Sequence, residues 1–161
     1  MLKCNTEIMK DLKQIQERKA VILEKERLEC AVSYVSDEDK ILPDYNYDEV
    51  RSQIDDLNKE EIYLKGLLAK SNATTIVPEF NMTIGDCLIY LAQLTEKAGR
   101  LNSLSNRRKK TRSLQYQKQV EFTELLYDVD KAKVDYEKTQ KEIVKLQMAI
   151  DRINLTNLIE V

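Results

Sequence analysis

Residues 123–154, with the sequence TELLYDVDKAKVDYEKTQKEIVKLQMAIDRIN, carry the pattern that decides the fold. Apolar or small side chains recur along this stretch at alternating steps of three and four, and most of the residues between them are Lys, Asp, Glu and Gln. That spacing predicts a long helix with one face packed knobs-into-holes against other helices. The repeating positions are Val129, Ala132, Tyr136, Thr139, Ile143, Leu146, Ile150 and Ile153.

Three further segments carry apolar stripes of the same kind, and all four together predict an all-α fold. Charged residues make up 34% of the chain, which has only three Gly and two Pro, and this composition favours long helices with solvated faces. We predict a single helical domain over 1–161: a four-helix bundle with a long antiparallel coiled-coil-like hairpin and a short β excursion at one end. The helices are expected at about 6–29, 47–71, 84–104 and 123–154, with excursions at about 30–46 and 105–122.

The second excursion ends in residues 114–122, which partly alternate between apolar and polar and predict a short strand or an extended arm. This segment could pair with the β-branched and aromatic stretch 30–35. A weak internal repeat aligns the stripes of the first and third helices at a shift of 76, and those of the second and fourth at 82. Each half would then consist of helix, excursion and helix, although any two heptad helices can be aligned in this way.

Two charged residues interrupt otherwise apolar stripes: Lys19 in the first helix and Glu61 in the second. Buried polar groups that pair can fix the register of packed helices, so Lys19 and Glu61 are a candidate register-fixing pair. The alternative is that each lies at the edge of its stripe and extends its charged end to water.

A basic run follows the third helix, with five positive charges in six positions and a tyrosine nearby. Such a run could bind phosphates while the tyrosine stacks on a base, which predicts anion or nucleic-acid contact. A solvated loop or an intersubunit salt-bridge site explains the same residues, and the net charge of −2 indicates no general attraction to nucleic acid. The candidate contact residues are Arg107, Arg108, Lys109, Lys110, Arg112 and Tyr116.

The composition excludes several kinds of active site. The chain has no histidine, and its three cysteines (Cys4, Cys30 and Cys87) are far apart, so neither a typical zinc site nor a Ser-His-Asp triad nor a Cys-His pair can form. The glycines form no phosphate-binding loop. We therefore predict no catalytic, cofactor-binding or metal-binding residues and no enzymatic activity.

The subcellular location of the protein can also be predicted from the sequence. No stretch approaches the roughly 20 apolar residues that span a bilayer, and no secretory signal precedes the first amphipathic pattern. The odd number of cysteines, without C-x-x-C spacing, indicates reduced thiols rather than a disulfide framework. Together these features predict a cytoplasmic protein that does not act at a membrane.

Three short stretches resemble a bacterial family of small helical proteins of unknown function, some of whose members are labelled septicolysin. They are NATT at 72–75, which closes a helix, MTI at 82–84, which opens the next, and IDRINLTNLIE at 150–160. Family members often have a Trp directly after the position of Asn154, where this chain has Leu155. The resemblance implies a helical bundle with a coiled-coil-like hairpin and no catalytic residues, and the label implies a cytolysin.

These observations favour a non-enzymatic cytosolic scaffold or interaction protein, whose binding surface is a helix groove or the excursion end. Apolar stripes left uncovered would drive self-association, so we expect a homo-oligomer, together with a protein partner that the sequence does not specify. The alternative is a nucleic-acid-binding module that uses residues 107–112. A membrane-active toxin of the septicolysin type is disfavoured, because the chain has neither a spanning helix nor a cationic amphipathic helix with an aromatic face.

Overall fold

The computed structural model describes residues 1–36, 39–114 and 120–161, and most of them are helical. The helices are α1 (Asn5–Glu29), α2 (Tyr47–Thr74), α3 (Ile84–Ser105) and α4 (Val129–Thr156). The short strands in these ranges are β1 (Leu2–Cys4), β2 (Ile76–Val77), β3 (Met82–Thr83), β4 (Lys110–Leu114), β5 (Val120–Glu124) and β6 (Leu158–Glu160). A mainly helical fold with short β excursions is therefore confirmed, whereas the four-helix bundle and its antiparallel hairpin stay predictions.

Local hydrogen bonds explain where two of the helices begin. Cys4 precedes α1, and its backbone N–H donates to the Glu7 carboxylate at 2.7 Å. At the start of α3 the Thr83 hydroxyl accepts a hydrogen bond from the Asp86 N–H at 3.0 Å. Bonds of this kind satisfy amides at a helix start that have no partner within the helix, so the residues at these positions set both starting points.

The last helix begins at Val129, later than the predicted start near 123. The residues before Val129 do not extend the helix. Val120–Glu124 form β5 instead, because β-branched and aromatic side chains favour a strand. Asp128 then caps the helix, since its Oδ1 accepts hydrogen bonds from the amides of Asp130 and Lys131 at 2.9 and 3.4 Å.

β4 and β5 pair antiparallel with each other, from Lys110 opposite Glu124 to Leu114 opposite Val120. The predicted pairing of the second excursion with residues 30–35 is wrong, because 30–35 form no strand. A short connection joins β4 to β5 at little entropic cost, whereas pairing across about 80 residues closes a much longer loop.

Residues Met1–Thr74 and Asn154–Val161 form one compact unit. In this unit β1 pairs antiparallel with β6, and α1 packs against α2. Its buried apolar cluster is small and consists of Ile8, Ile15 and Leu64. Half-buried side chains surround the cluster, namely Leu12, Leu57, Leu67, Leu68, Ile159 and Val161.

Residues Thr75–Ile153 form a second compact unit with a larger core. The core residues are Val77, Ile84, Cys87, Leu94, Ala98, Ile143, Leu146, Ala149 and Ile150. α4 buries seven residues, whereas α2 in the first unit buries only Leu64 and Ser71. The first unit thus leaves more of its helical surface uncovered. A single domain over the whole chain stays a prediction.

The two halves of the chain correspond element by element. α2 and α4 both have 28 residues, starting at 47 and 129 and ending at 74 and 156, which is an offset of 82 at each end. β2 and β6 follow at the same offset, from 76 and 158. α1 and α3 correspond at 79 between their N-caps Cys4 and Thr83, and at the predicted 76 between their last residues Glu29 and Ser105. This agreement supports an internal duplication.

Candidate functional site

An open groove of about 720 Å³ runs between α1 and α2. Its apolar lining consists of Val21, Ile22 and Leu57, and Val21 is 70% exposed. Its polar lining consists of Gln14, Glu17, Arg18, Gln53, Asp56 and Glu60. These residues recur at steps of three and four, so they form one stripe on each helix. We call this surface the α1–α2 groove.

Ion pairs neutralise part of the polar lining. Asp56 lies 2.8 Å from the Lys59 ammonium, and Glu17 lies 3.8 Å from that of Lys13. Arg18 on α1 and Glu60 on α2 make no ion pair with the residues that the structure describes. A surface that docks in the groove therefore meets an apolar strip with one guanidinium and one carboxylate available for pairing.

Lys19 and Glu61 lie together between α1 and α2, where the Lys19 ammonium donates a hydrogen bond to Glu61 Oε2. Their side chains are only 17% and 16% exposed, and Glu61 also pairs with Lys65 at 2.5 Å. The hydrogen bonds from Lys19 and then Lys65 lower the pKa of Glu61 from 4.5 to about 2. The structure brings the two predicted residues together, and their role in fixing helix register stays a prediction.

The second unit has apolar residues at the matching positions. Counted from the N-caps of α1 and α3, Lys19 matches Ala98, and the offset of 82 matches Glu61 with Ile143; both counterparts belong to the core of that unit. The first unit therefore contains an ion pair where the second has apolar packing. Because well-packed apolar residues are often at least as stabilising as a buried ion pair, stability alone does not account for Lys19 and Glu61.

A polar cluster ties the end of α1 to the start of α2. Glu26 accepts hydrogen bonds from the Tyr45 hydroxyl at 2.9 Å and from the Arg51 guanidinium. Arg51 also lies over the Tyr47 ring, 5.4 Å from the ring centroid. Burial and then the bond to Glu26 raise the pKa of Tyr45. The cluster holds this end of the helix pair together, and no pattern in the sequence had indicated it.

The structure divides the predicted basic contact residues into two groups. Lys109 pairs with Asp130 at 2.7 Å, and Lys110 lies 3.6 Å from Glu124. The hydrogen bond between Lys109 and Asp130 raises the pKa of the lysine and lowers that of the aspartate. Arg107, Arg108 and Arg112 are exposed and make no ion pair within the described ranges. Tyr116 lies outside the described residues, so its stacking role stays a prediction.

β4 and β5 form a two-stranded ribbon, which we call the β4–β5 ribbon. Among the described residues it contributes none to the two core clusters, and the side chains of 110–113 and of all of β5 are exposed. Phe122 is 58% exposed, and the Lys110 ammonium lies 5.2 Å from its ring centroid. The Tyr127 hydroxyl donates to the Leu104 carbonyl at 2.8 Å and attaches the segment after the ribbon to the end of α3.

The described residues offer little reactive chemistry. They contain no group of three or more His, Cys, Asp and Glu side chains placed to hold a metal ion. Cys4 and Cys87 are buried, whereas Cys30 is exposed. Burial raises the pKa of Cys87, which keeps it a thiol rather than a nucleophilic thiolate. In the part of the chain that the structure describes, every helix is too short or too polar to cross a membrane.

The fold is similar to that of a functionally unknown conserved protein from Corynebacterium diphtheriae, known from a crystal structure. The two chains are 19% identical, the TM-score is 0.68, and the match covers 99% of this chain and 100% of that chain. No protein-family model and no curated protein sequence matches the chain. The similarity shows a shared fold, and a neighbour without known function agrees with the resemblance to a family of unknown function.

Proposed function

We propose that this protein is a non-catalytic helical scaffold that self-associates, and that a second copy of the chain docks in the α1–α2 groove. The observation that carries the proposal is the exposed apolar strip of this groove, in a helix pair where α2 buries only two residues. Helices of globular proteins bury an apolar stripe against a neighbour. A second copy supplies the neighbour that α1 and α2 lack in the first unit.

The charges around the groove fit a two-fold contact. In a contact that uses the same surface on both copies, every pair of different residues that meets across the contact occurs twice. Arg18 of one copy then faces the partner's Glu60, and the reverse pair forms on the other side of the axis. In our proposal α1 and α2 form the antiparallel coiled-coil-like hairpin, and two such hairpins make a four-helix arrangement with a crossing angle of about +20°.

Exposed apolar residues continue beyond the groove, so the proposed contact extends over several turns of α1. Exposed Tyr63 lines a neighbouring cavity together with Gln14, Arg18 and Glu60. Exposed Leu28 lies seven residues after Val21, on the same side of α1. Residues 14–28 cover about 21 Å at 1.5 Å per residue, which is roughly four turns of helix.

The ion pair between Lys19 and Glu61 has a defined role in this proposal. It lies between α1 and α2 and holds the two helices at one register, as buried polar pairs do in coiled coils. That register sets where Arg18 lies along the groove relative to Glu60. The pair therefore sets the geometry of the docking surface, in addition to a stability that two apolar residues would also provide.

Hydrogen exchange at rising protein concentration tests the docking surface. Docking slows exchange because it stabilises the helices that take part. We expect slower exchange in residues 14–28 and 53–63 as the concentration rises, and unchanged exchange in α3, which serves as the internal control. A change confined to α3 and α4, or no change in α1 and α2, contradicts the proposal. Val21→Glu should abolish the concentration effect.

One observation favours a second candidate, the nucleic-acid-binding module: Arg107, Arg108 and Arg112 are exposed and without ion pairs in the described part of the chain. This module would bind oligonucleotides with a strong dependence on salt, and Arg107→Glu with Arg108→Glu would abolish binding. The scaffold proposal predicts that this double variant self-associates as the wild type does. Fluorescence anisotropy with a labelled oligonucleotide distinguishes the two.

We further propose a cytoplasmic location, because the exposed thiol of Cys30 suits a reducing compartment. The septicolysin label suggests membrane lysis instead. Lysis by the apolar stripes would require the helices to separate and expose the clusters that hold each unit together. We therefore expect no dye leakage from anionic liposomes at protein concentrations that give full self-association.

A further inference from the structure

The β4–β5 ribbon has open backbone edges, and their positions follow from one hydrogen bond. The Leu125 N–H donates to the Lys109 carbonyl at 3.0 Å, which makes 109 and 125 a hydrogen-bonded pair. Hydrogen-bonded and non-bonded pairs alternate along an antiparallel ladder. The backbone groups that point outward therefore belong to Lys110, Arg112 and Leu114 on β4 and to Val120, Phe122 and Glu124 on β5.

A ribbon of this kind is incomplete by itself. Two strands without further support are at best marginally stable in water, and neither β4 nor β5 joins a core cluster of the described residues. Open edges are templates for pairing with another strand. The exposed ring of Phe122 adds an apolar group beside the outer edge of β5.

The charges on the two strands distinguish the two symmetric ways of joining identical edges, β4 to β4 and β5 to β5. β4 carries Lys110 and Arg112 and no acidic residue, and β5 carries Glu121 and Glu124 and no basic residue. Joining β4 to a second β4 around Arg112 places two guanidinium groups directly opposite each other, which is unfavourable. The edge of β4 is therefore protected against pairing with itself.

Joining β5 to a second β5 around Phe122 avoids every direct like-charge pair. In that register Phe122 lies opposite the partner's Phe122, and Glu124 lies opposite the partner's Val120. Glu121 lies opposite the partner's Thr123, and each Glu124 keeps its own Lys110 at 3.6 Å. Aromatic side chains that lie opposite each other on paired strands stabilise the pairing.

We propose that two copies of this chain join β5 to β5 around a two-fold axis at Phe122 and form a four-stranded antiparallel sheet. In each copy Arg112 lies opposite Phe122, so the central row of this sheet is arginine, phenylalanine, phenylalanine, arginine. The outward N–H and C=O groups of Val120, Phe122 and Glu124 are then paired. This surface lies in the second unit, and the inference does not depend on the α1–α2 groove.

Disulfide trapping tests the register directly. Residues that form a hydrogen-bonded antiparallel pair have Cα atoms about 5.5 Å apart, a separation that a disulfide accommodates. The background is Cys30→Ser, because Cys4 and Cys87 are buried. We expect Phe122→Cys to give a covalent dimer of twice 18.8 kDa under mild oxidation, whereas the matched control Thr111→Cys stays a monomer.

Two other pairings give different results and would overturn the proposal. A contact between two β4 edges cross-links Arg112→Cys instead of Phe122→Cys. A contact of β4 with the partner's β5 cross-links a mixture of Arg112→Cys and Phe122→Cys chains but neither variant alone. Equal cross-linking at positions 111 and 122 means random collision and also overturns the proposal.

A second measurement tests the same β5 contact without an introduced cysteine. In a Val21→Glu background, where docking in the groove is blocked, Phe122→Lys places two ammonium groups across the axis, whereas Phe122→Tyr keeps the ring. We expect Phe122→Lys to raise the dissociation constant at least tenfold and Phe122→Tyr to leave it nearly unchanged. Equal constants for the two variants overturn the ribbon proposal. If Val21→Glu itself has no effect on the wild type, the groove proposal fails and the ribbon proposal does not.

Discussion

Val21→Ala separates docking in the groove from folding, because Val21 is exposed in the single chain. The substitution removes two methyl-sized groups, each of which contributes about 0.8 kcal/mol when buried. Since the residue is 70% exposed, roughly 1 kcal/mol of this is gained only when a second copy covers it. A two-fold contact contains the residue twice, so the loss is about 2 kcal/mol and the dissociation constant should rise about thirtyfold.

The same substitution should not destabilise the single chain. Alanine has a higher helix propensity than valine by a few tenths of a kcal/mol, and no core contact is lost at this exposed position. The free energy of unfolding of the Val21→Ala monomer should therefore equal or slightly exceed that of the wild type. Urea unfolding at a concentration well below the dissociation constant measures this value.

Val144→Ala is the matched control, since it makes the same change at an exposed position of α4 that does not line the groove. Dilution calorimetry gives the dissociation constants of the wild-type groove and both variants, all in a Phe122→Lys background that removes the proposed β5 contact. We expect about a thirtyfold increase for Val21→Ala and less than a twofold change for Val144→Ala. Equal constants for Val21→Ala and the wild type, or an equal increase for both variants, would refute the reasoning.

Three further predictions concern the units themselves. Lys19→Ala or Glu61→Ile alone should lower the melting temperature. The double variant should restore it, because both positions then carry the apolar residues found at the matching positions of the second unit. Thermal unfolding followed by circular dichroism measures the three melting temperatures. The pKa of Glu61 is lowered from 4.5 to about 2, so the stability that its charge provides is present above pH 4.5 and is lost as the pH falls towards 2. Glu61→Gln should lack this loss in urea titrations over the same pH range, and an unchanged pH profile would contradict the assignment. Leu146→Ala in the fully buried core should cost about 2–5 kcal/mol, whereas Leu155→Ala at an exposed position should cost less than about 1 kcal/mol in the same unfolding measurement.

Helix content was predictable because the apolar period is a local property of the sequence. The spacing around Leu146 indicated a long helix, and the residues of the α3 cap made its start near 84 predictable. The start of α4 was not predictable in the same way, since the residues before Val129 also fit a helical stripe. Val120–Glu124 form a strand rather than a helix because they pair with β4. Strand formation depends on tertiary partners more than helix formation does.

The candidate sites were only partly predictable for a related reason. Lys19 and Glu61 were identifiable because each breaks an apolar stripe, and the structure places them in contact. Val21 was not identified, because its exposure depends on how much of α1 the facing helix covers, and the sequence does not specify that coverage. The basic run was visible as a run, but its pairing of Lys109 with Asp130 depends on where α4 begins.

Sedimentation equilibrium of the Phe122→Lys variant tests docking in the groove most directly, because this substitution removes the second proposed contact. The account predicts that the mass rises from 18.8 kDa towards twice that value as the concentration increases, and that adding Val21→Glu returns it to that of the single chain. A mass of 18.8 kDa at every concentration up to about 1 mM would contradict the account, because a contact that weak contributes no more than about 4 kcal/mol.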